Sequence, residues 1–395
     1  MCMRTTRRNT LDREPAVRFE YTEDQRLIHR TVREFAASEL RPHARRWDAE
    51  GTFPADLVPK IAALGLWGMT VPSDYGGSGV DTVGAALAIE ALAWGDGGIA
   101  LSVAAHNSLC TGHIVRAAND AQKRRYLPRL ASGEMLGAWC LTEPGSGSDA
   151  GALATRAERR GDRWVLSGTK AFVTQGSIAG AYVVMARTDP SAGHRGISAF
   201  VVDAGTPGLR VGKHEDKLGM RSSDTAEVVF EDCEVGDGQR LGAPGDGFRD
   251  AMRVLEGGRI GIGALALGLG RAALDASVAY ARERRAFGRP IADFQATQWK
   301  LADMAVEMDA AELLVMEAAS LAWRRQPYRR EASMAKLYAS EAASRAAGHA
   351  VQIHGGYGYV KDYPVERIYR DVKLCEIGEG TSEVQRLILA RDLLG

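Results

Sequence analysis

The sequence lacks an excess of charge of either sign. Its 395 residues include 50 Lys and Arg against 50 Asp and Glu, which gives a formal net charge of zero. Proteins that attract nucleic acids or acidic membranes over long distances carry a net basic surface, so neither class of partner is expected. No window approaches the roughly 20 unbroken apolar residues that a membrane-spanning helix requires. A membrane span is therefore not expected either.

Cysteine is scarce and scattered. The five cysteines, at positions 2, 110, 140, 233 and 375, are odd in number and form no C-x-x-C pair. This pattern argues against a disulfide framework and favours a reducing compartment. The eight histidines include no H-E-x-x-H motif, and no His or Cys pair has the spacing of metal ligands. We expect no metal site.

The N-terminal segment lacks the apolar stretch of a secretory signal. Residues 1–16 contain four arginines but no hydrophobic run. A mitochondrial presequence here would be short, and we interpret residues 1–19 as a disordered tail.

What the chain does have is the composition of a globular protein. Hydrophobic residues make up 45% and charged residues 25%, which excludes disorder, collagen-like repeats and a coiled-coil rod. The length suggests two or three domains. Apolar residues recur at helical spacing over residues 22–40, where Thr22 and Gln25 form a capping box and Pro42 marks the end. Similar patterns predict helices at about 55–65, 81–95, 98–117 and 119–131.

The pattern changes near residue 136. Short β-rich runs bounded by turn signals follow, at residues 164–166, 181–185, 197–202 and 226–230. Helical periodicity returns over 248–281, 293–324 and 329–350, and a shorter amphipathic segment closes the chain. The order of helices, strands and helices predicts an α+β protein. We place a helical domain at 20–135, an antiparallel β domain at 136–245 and a helical domain at 246–395.

One motif matches a dinucleotide-binding fingerprint but lacks its structural context, and we call it the decoy motif. Residues 268–273 fit the G-x-G-x-x-A form of the dinucleotide-binding fingerprint, which requires a strand before it and a helix that begins at it. This match lies inside a long helical pattern. We therefore interpret Gly268 and Gly270 as positions where helices pack closely.

Two loops are candidates for chemistry. Residues 139–149, W-C-L-T-E-P-G-S-G-S-D, join the end of a strand to a loop of small and hydroxyl-bearing residues. Such a loop can bind phosphate or a polar ring edge through its backbone amides, or it can be an ordinary solvent loop. Near the C-terminus, Glu379 stands between Gly378 and Gly380, ahead of Thr381 and Ser382, which can cap the final helix. A Glu in such a loop is usually only solvated.

Taken together, the motifs resemble those of the acyl-CoA dehydrogenase family from about residue 20 onward. The T-E-P-G-x-G-S-D run, E-R-R-A-F-G at 283–288 with Gln295 beyond it, Q-I-H-G-G-Y-G at 352–358 and I-G-E-G-T-S-E-V-Q-R at 377–386 occur in the family's order and spacing. The resemblance implies an N-terminal helical domain, a middle β domain and a C-terminal four-helix bundle. It also implies a homotetramer that binds one FAD per subunit.

The resemblance implies dehydrogenation of an acyl-CoA thioester at its α and β carbons. Glu379 matches the family's general base, which removes the α-proton while the β-hydrogen passes as hydride to FAD. A base of this kind works best when burial raises its pKa towards the operating pH. Gly380, Glu256, Arg259 and Ser148 match substrate-side positions. Other branches of the family place the base at position 258, where this chain has glycine, so the short-, medium- and short-branched-chain groups compare better.

The remaining matched positions are those that contact FAD in the family. Trp139, Leu141 and Thr142 match residues against the flavin, with Thr142 near its N5 edge, and Ser148 matches a residue near a phosphate of substrate or cofactor. Phe172, Val173 and Thr174 also match ring contacts, although the family more often has Trp at 172 and Phe172 could equally be core. Cofactor contacts further along the chain, partly supplied by a neighbouring subunit, match Arg284, Phe287, Gln295, Gln352, Gly355, Gly356, Thr381 and Glu383. His354 we assign to packing.

The expected substrate is a short- to medium-chain or branched acyl-CoA, and the expected electron acceptor is an electron-transferring flavoprotein. The expected location is the cytoplasm, or the mitochondrial matrix if the source is eukaryotic. Three alternatives remain open. They are an acyl-CoA oxidase, a dehydrogenase acting on acyl carrier protein, and a non-catalytic binder of flavin or acyl thioesters.

Overall fold

A computed structural model describes residues 20–395, so the predicted tail at 1–19 lies outside the described residues. The first block is helical. Its helices are α1 (Glu23–Phe35), α2 (Ala44–Glu50), α3 (Leu57–Ala63), α4 (Thr82–Gly95), α5 (Gly97–Ala105), α6 (Gly112–Ala117) and α7 (Asp120–Ala131). The predicted capping box is confirmed, since the Gln25 amide donates to Thr22 Oγ1 and the Thr22 amide to Gln25 Oε1. The helix predicted over 98–117 is interrupted by a π-helical turn at His106–Thr111.

The middle block is an eight-stranded sheet. Its strands are β1 (Gly137–Cys140), β2 (Arg156–Arg160), β3 (Arg163–Thr174), β4 (Ala181–Arg187), β5 (Ile197–Asp203), β6 (Leu209–His214), β7 (Thr225–Gly236) and β8 (Arg240–Leu241). The order is β6-β7-β3-β2-β4-β5-β8, with β1 beside β4. Most pairs are antiparallel as predicted, but β1 and β2 each pair with β4 in parallel, which the sequence did not predict. The four strands predicted from β-rich runs are β3, β4, β5 and β7.

The last block is the predicted bundle. Its helices are α8 (Gly247–Glu283), α9 (Gln295–Trp323), α10 (Arg329–His354) and α11 (Val365–Ile377), followed by α12 (Ser382–Leu394) against α10. A small hairpin of β9 (Arg285–Ala286) and β10 (Arg289–Pro290) joins α8 to α9. Alanines fill much of the buried face of α10, and small side chains let helix axes approach closely. The predicted order of helices, strands and helices is therefore confirmed.

The glycines of the decoy motif lie in the interior of α8. A Cβ on Gly268 would overlap the Glu90 carbonyl on α4, and one on Gly270 would overlap Met308 on α9. The prediction of close helix packing is confirmed. By length and composition α8 could cross a membrane, but 67% of its most apolar window is buried by the rest of the protein. It is the central helix of the largest hydrophobic cluster.

Candidate active site

The loop between α11 and α12 holds Glu379 in an unusual backbone conformation. Glu379 has φ 53° and Gly380 has φ 95°, so two successive residues lie in the left-handed region. A residue with a Cβ pays about 1–2 kcal/mol there. As predicted, Thr381 caps α12, because its side chain accepts a hydrogen bond from the Val384 amide. The structure thus orders a strained loop immediately before a helix.

The Glu379 carboxylate points at α8. Its Oε2 atom is buried and has no hydrogen-bond partner among residues 20–395. A Cβ on Gly258 would overlap this oxygen, so only glycine leaves room for the carboxylate at this point of α8. Positions 258 and 379, which are far apart in sequence, therefore converge on one place in the fold.

Two buried cations lie near this carboxylate. Arg259 follows Gly258 on α8, and its Nε and Nη1 atoms are buried without partners among the described residues. Lys336 on α10 is fully buried, and its Nζ donates to the Gly380 carbonyl at 2.8 Å. Burial raises the pKa of Glu379 to about 7, although Lys336 and Arg259 lower it in part. The carboxyl group therefore titrates near neutral pH, as a general base should.

Glu256 lies one turn before Arg259 and is oriented towards the start of α10. Its Oε1 atom is 4.0 Å from the Arg329 Nε. The structure thus brings Glu256, Arg259, Glu379 and Gly380 to one region, where α8, α10 and the 378–380 loop meet.

A second predicted group gathers at the ends of β1 and β3. The Ala171 amide donates to the Thr142 carbonyl at 2.9 Å, which joins the segment 139–142 to the segment 172–174. Phe172 is 65% exposed with φ 54°, so the interpretation of Phe172 as core is wrong. Leu141 and Val173 have buried side chains that pack in hydrophobic clusters. Contact with a ligand there would involve their backbones.

A buried ion pair lies behind these two segments. The Lys170 Nζ is 2.7 Å from Glu143 Oε1 and donates to the Leu141 carbonyl at 3.2 Å. The Glu143 carboxylate also accepts from the amides of Ala154 and Thr155. Burial alone would raise the pKa of Glu143, but Lys170 and these donors lower it below its usual value. The pair fixes the position of both segments that carry the predicted ring contacts.

Ser148 is exposed at the tip of the 143–149 loop. The loop is closed by reciprocal backbone hydrogen bonds between Glu143 and Ser146, and Ser146 Oγ donates to the Asp149 carbonyl at 2.7 Å. Ideal Cβ positions on Gly145 and Gly147 meet no atom within 4 Å. The backbone of this loop is therefore open to a ligand.

A third group lies at the far end of α8. Arg284, Gly355 and Gly356 line a cleft of about 570 Å³ beside His354, and Cβ positions on both glycines are open. A guanidinium beside open backbone suits a phosphate-bearing ligand. His354 is buried and stacks on Tyr280, with ring centroids 4.2 Å apart, as its assignment to packing predicted.

The other predicted cofactor residues lie at two places: Phe287, Gln295 and Gln352 near this third group, and Thr381 and Glu383 directly after Glu379 and Gly380. Phe287 is 95% exposed on the hairpin. Gln295 begins α9, Gln352 lies on the last turn of α10, and Thr381 and Glu383 begin α12. Within residues 20–395, none of the predicted ring contacts of the middle domain lines this cleft.

Lys170, Lys336 and His113 are among the buried polar residues that sequence reasoning missed. His113 Nδ1 accepts a hydrogen bond from Trp139 Nε1 at 3.2 Å, and burial lowers the pKa of His113 to about 4, so the ring is neutral. For Lys336 a signal was present. It shares its helix face with Ala332, Ala339 and Ala343, and a lysine on an apolar face indicates a buried cation.

Comparison with known proteins identifies the family. The N-terminal, middle and C-terminal domain models of acyl-CoA dehydrogenases match residues 22–134, 138–233 and 245–394. The chain belongs to the acyl-CoA dehydrogenase family. It is accordingly an FAD-dependent oxidoreductase.

Individual relatives cover almost the whole chain. The mitochondrial short-chain specific acyl-CoA dehydrogenase of Bos taurus is 48% identical over 95% of this chain and 91% of the relative. The structure of butyryl-CoA dehydrogenase from Megasphaera elsdenii has a TM-score of 0.94 at 41% identity, covering 96% of this chain and all of that one. A chain in a structure of the electron transferring flavoprotein of Acidaminococcus fermentans has a TM-score of 0.94 at 45% identity, with the same coverage.

Proposed function

We propose that this acyl-CoA dehydrogenase oxidises short-chain acyl-CoA thioesters, with Glu379 as the general base. The observation that carries the proposal is the Glu379 carboxylate: its Oε2 atom is buried against Gly258, and its pKa is raised to about 7. The likeness to the short-chain specific enzyme and to butyryl-CoA dehydrogenase supports the chain length.

In the proposed mechanism, Glu379 takes the α-proton of the thioester. When bound, FAD would supply the two-electron acceptor for the hydride that leaves the β-carbon. Because the loop fixes the carboxylate oxygen in a space that excludes other side chains, little reorganisation precedes proton transfer. Arg259, whose buried Nε and Nη1 atoms have no partner within residues 20–395, would face the substrate and stabilise negative charge that develops near it.

The residues of this chain would hold FAD at two places. The ends of β1 and β3, with Trp139, Thr142, Phe172 and Thr174, would contact the ring. The cleft with Arg284, Gly355 and Gly356 would bind the pyrophosphate of an FAD whose ring lies on a neighbouring subunit. This division supports an assembly in which each cofactor site takes residues from two subunits, since the cleft lining includes none of the ring contacts among the described residues. The family resemblance implies that this assembly is a homotetramer.

Electrons would then pass to an electron-transferring flavoprotein, which the likeness to a chain from a structure of that protein supports. The relatives include bacterial and mitochondrial proteins, which supports the predicted location in the cytoplasm or the mitochondrial matrix.

The test is anaerobic flavin reduction with acyl-CoAs of four to sixteen carbons, for the wild-type enzyme and for Glu379→Gln. Wild type should reduce fastest with chains of about four to six carbons. Because glutamine keeps the size of the side chain but removes the proton acceptor, the variant should retain FAD and bind ligand while its reduction rate falls by about 10²–10⁴-fold.

Three results would contradict the proposal. Fastest turnover with sixteen-carbon chains would exclude the short-chain assignment. Near-normal flavin reduction by the variant would remove Glu379 as the base and make Glu256 the next carboxylate to test. Rapid turnover with oxygen alone would favour an oxidase.

A further inference from the structure

The carbonyl oxygen of Gly380 accepts two hydrogen bonds from buried side chains. Lys336 Nζ on α10 and Gln385 Nε2 on α12 both donate to it at 2.8 Å. Both side chains are fully buried. The residue that follows Glu379 is therefore held from two directions, by two different helices.

The loop requires such support. The left-handed conformation costs Glu379 free energy, whereas Gly380 adopts it without a steric penalty. A Cβ on Gly380 would lie 2.8 Å from Gln385 Nε2, so the carbonyl and its donors leave no space for another side chain. If the carbonyl were released, the peptide could rotate and carry the carboxylate away from Gly258.

Burying a lysine to hold a carbonyl oxygen costs more free energy than burying a neutral donor. A buried ammonium loses its hydration, and one hydrogen bond to a neutral carbonyl replaces little of it. An amide, such as that of Gln385, would hold the carbonyl at lower cost. The positive charge must therefore be compensated by negative charge nearby.

Several charged groups face this position. Glu379 interacts favourably with the Lys336 ammonium, as does Glu376 from α11, whereas Arg259 from α8 opposes it. Burial raises the pKa of the Cys375 thiol to about 12, so this neighbour from α11 is neutral at pH 7. Arg259 in turn lies near Glu256 on its own helix. Glu376 already pairs with Lys373 at 2.6 Å. Glu379 is therefore the carboxylate that Lys336 stabilises from α10.

We propose that Lys336 is a positioning residue for the base: it holds the Gly380 carbonyl so that the Glu379 carboxylate lies against Gly258, and its charge favours the ionised carboxylate. This inference rests on the proposed role of Glu379. Burial lowers the pKa of Lys336 to about 8, so the ammonium is still charged at pH 7, where Glu379 titrates.

Two variants separate the two parts of this role. Lys336→Met removes donor and charge, whereas Gln385→Leu removes a donor to the same carbonyl and no charge. Both should lower kcat at least about 10-fold with little change in KM, since a small misplacement of a reacting group is costly. Only Lys336→Met should also raise the midpoint of the acid limb of the kcat/KM pH profile, by about one pH unit.

Lys336→Gln keeps a donor but not the charge, and it serves if the methionine variant fails to fold. It should raise the midpoint with a smaller loss of kcat. Lys60→Met is the control for loss of one positive charge, because Lys60 is exposed and pairs with Glu39. It should leave both kcat and the profile unchanged.

An unchanged midpoint in Lys336→Met or Lys336→Gln would overturn the electrostatic part of the inference. An unchanged kcat in Lys336→Met would overturn the positioning part. Activity in Glu379→Gln is a separate result, since it would overturn the proposed base itself whatever the lysine variants do.

Discussion

At the scale of the residue, the site depends on an absent side chain as much as on a present one. Gly258 allows the Glu379 carboxylate to lie against α8. The sequence motifs predict that Glu379 is the base, and glycine at position 258 has no side chain that could act as one. The motifs do not predict that the two positions meet, because 120 residues of chain separate them and only the packing of α8 against the 378–380 loop brings them together.

Gly258→Ala tests this packing. The added methyl would overlap the Glu379 carboxylate and displace it, so kcat/KM should fall by about 10²-fold, the cost of roughly 1 Å of misplacement. Helix stability should not suffer, because alanine is favoured over glycine within a helix by up to about 1 kcal/mol. Steady-state kinetics and FAD content provide the measurement.

Gly257→Ala is the matched control. The same change one residue earlier places a Cβ 3.9 Å from the Tyr328 hydroxyl, an ordinary contact, so activity should remain close to wild type. Equal activity of the two variants would show that Gly258 is not needed to make room for the base.

At the scale of the element, amphipathic helices were predicted better than strands that lack a β-rich run. The Thr22 capping box and the long C-terminal helices follow from local patterns that the structure confirms. β2 has charged residues at four of its five positions, and β6 lies at the sheet edge with three basic residues and a glycine among its six positions. Neither contains a β-rich run. These two segments form strands because they pair with neighbouring strands of the sheet. Pairing between distant segments leaves no local signal in the sequence.

α11 connects the base loop to the middle domain through Asp371. This buried carboxylate accepts a hydrogen bond from the Met220 amide at 2.5 Å, and Met220 has φ 52°. Burial raises the pKa of Asp371 to about 7, although Arg367 lowers it in part. The folded protein therefore holds a proton between about pH 4 and 7 that the unfolded chain releases.

The sign of the pH effect follows from this. The contribution of Asp371 to stability is fully present below the unfolded pKa of about 4 and is lost as pH rises through about 7. Asp371→Asn keeps an acceptor for the Met220 amide and never ionises. The Tm of the variant relative to wild type should therefore increase between pH 5 and pH 8, by an amount equivalent to a few kcal/mol at most. A difference in Tm that does not vary with pH would contradict the raised pKa.

At the scale of the whole molecule, the bundle presents an apolar face that residues 20–395 leave exposed. Trp299, Val306 and Leu313 recur every seven residues along α9, and they are 64%, 68% and 57% exposed. Seven residues are almost two helical turns, so these side chains form one stripe. Contiguous exposed apolar surface marks an interface. A second copy of the chain is the occupant expected from the proposed homotetramer.

Leu313→Glu should therefore break the assembly and lower its FAD content together, because the proposed cofactor site takes residues from two subunits and retention of FAD is linked to association by mass action. Light scattering with absorbance of the flavin measures both. Leu218→Glu is the control, since Leu218 is 64% exposed but lies outside α9, and it should alter neither. An assembly of Leu313→Glu that stays intact would show that the stripe is not the interface. A monomer that keeps its full FAD would show instead that each chain holds the cofactor by itself.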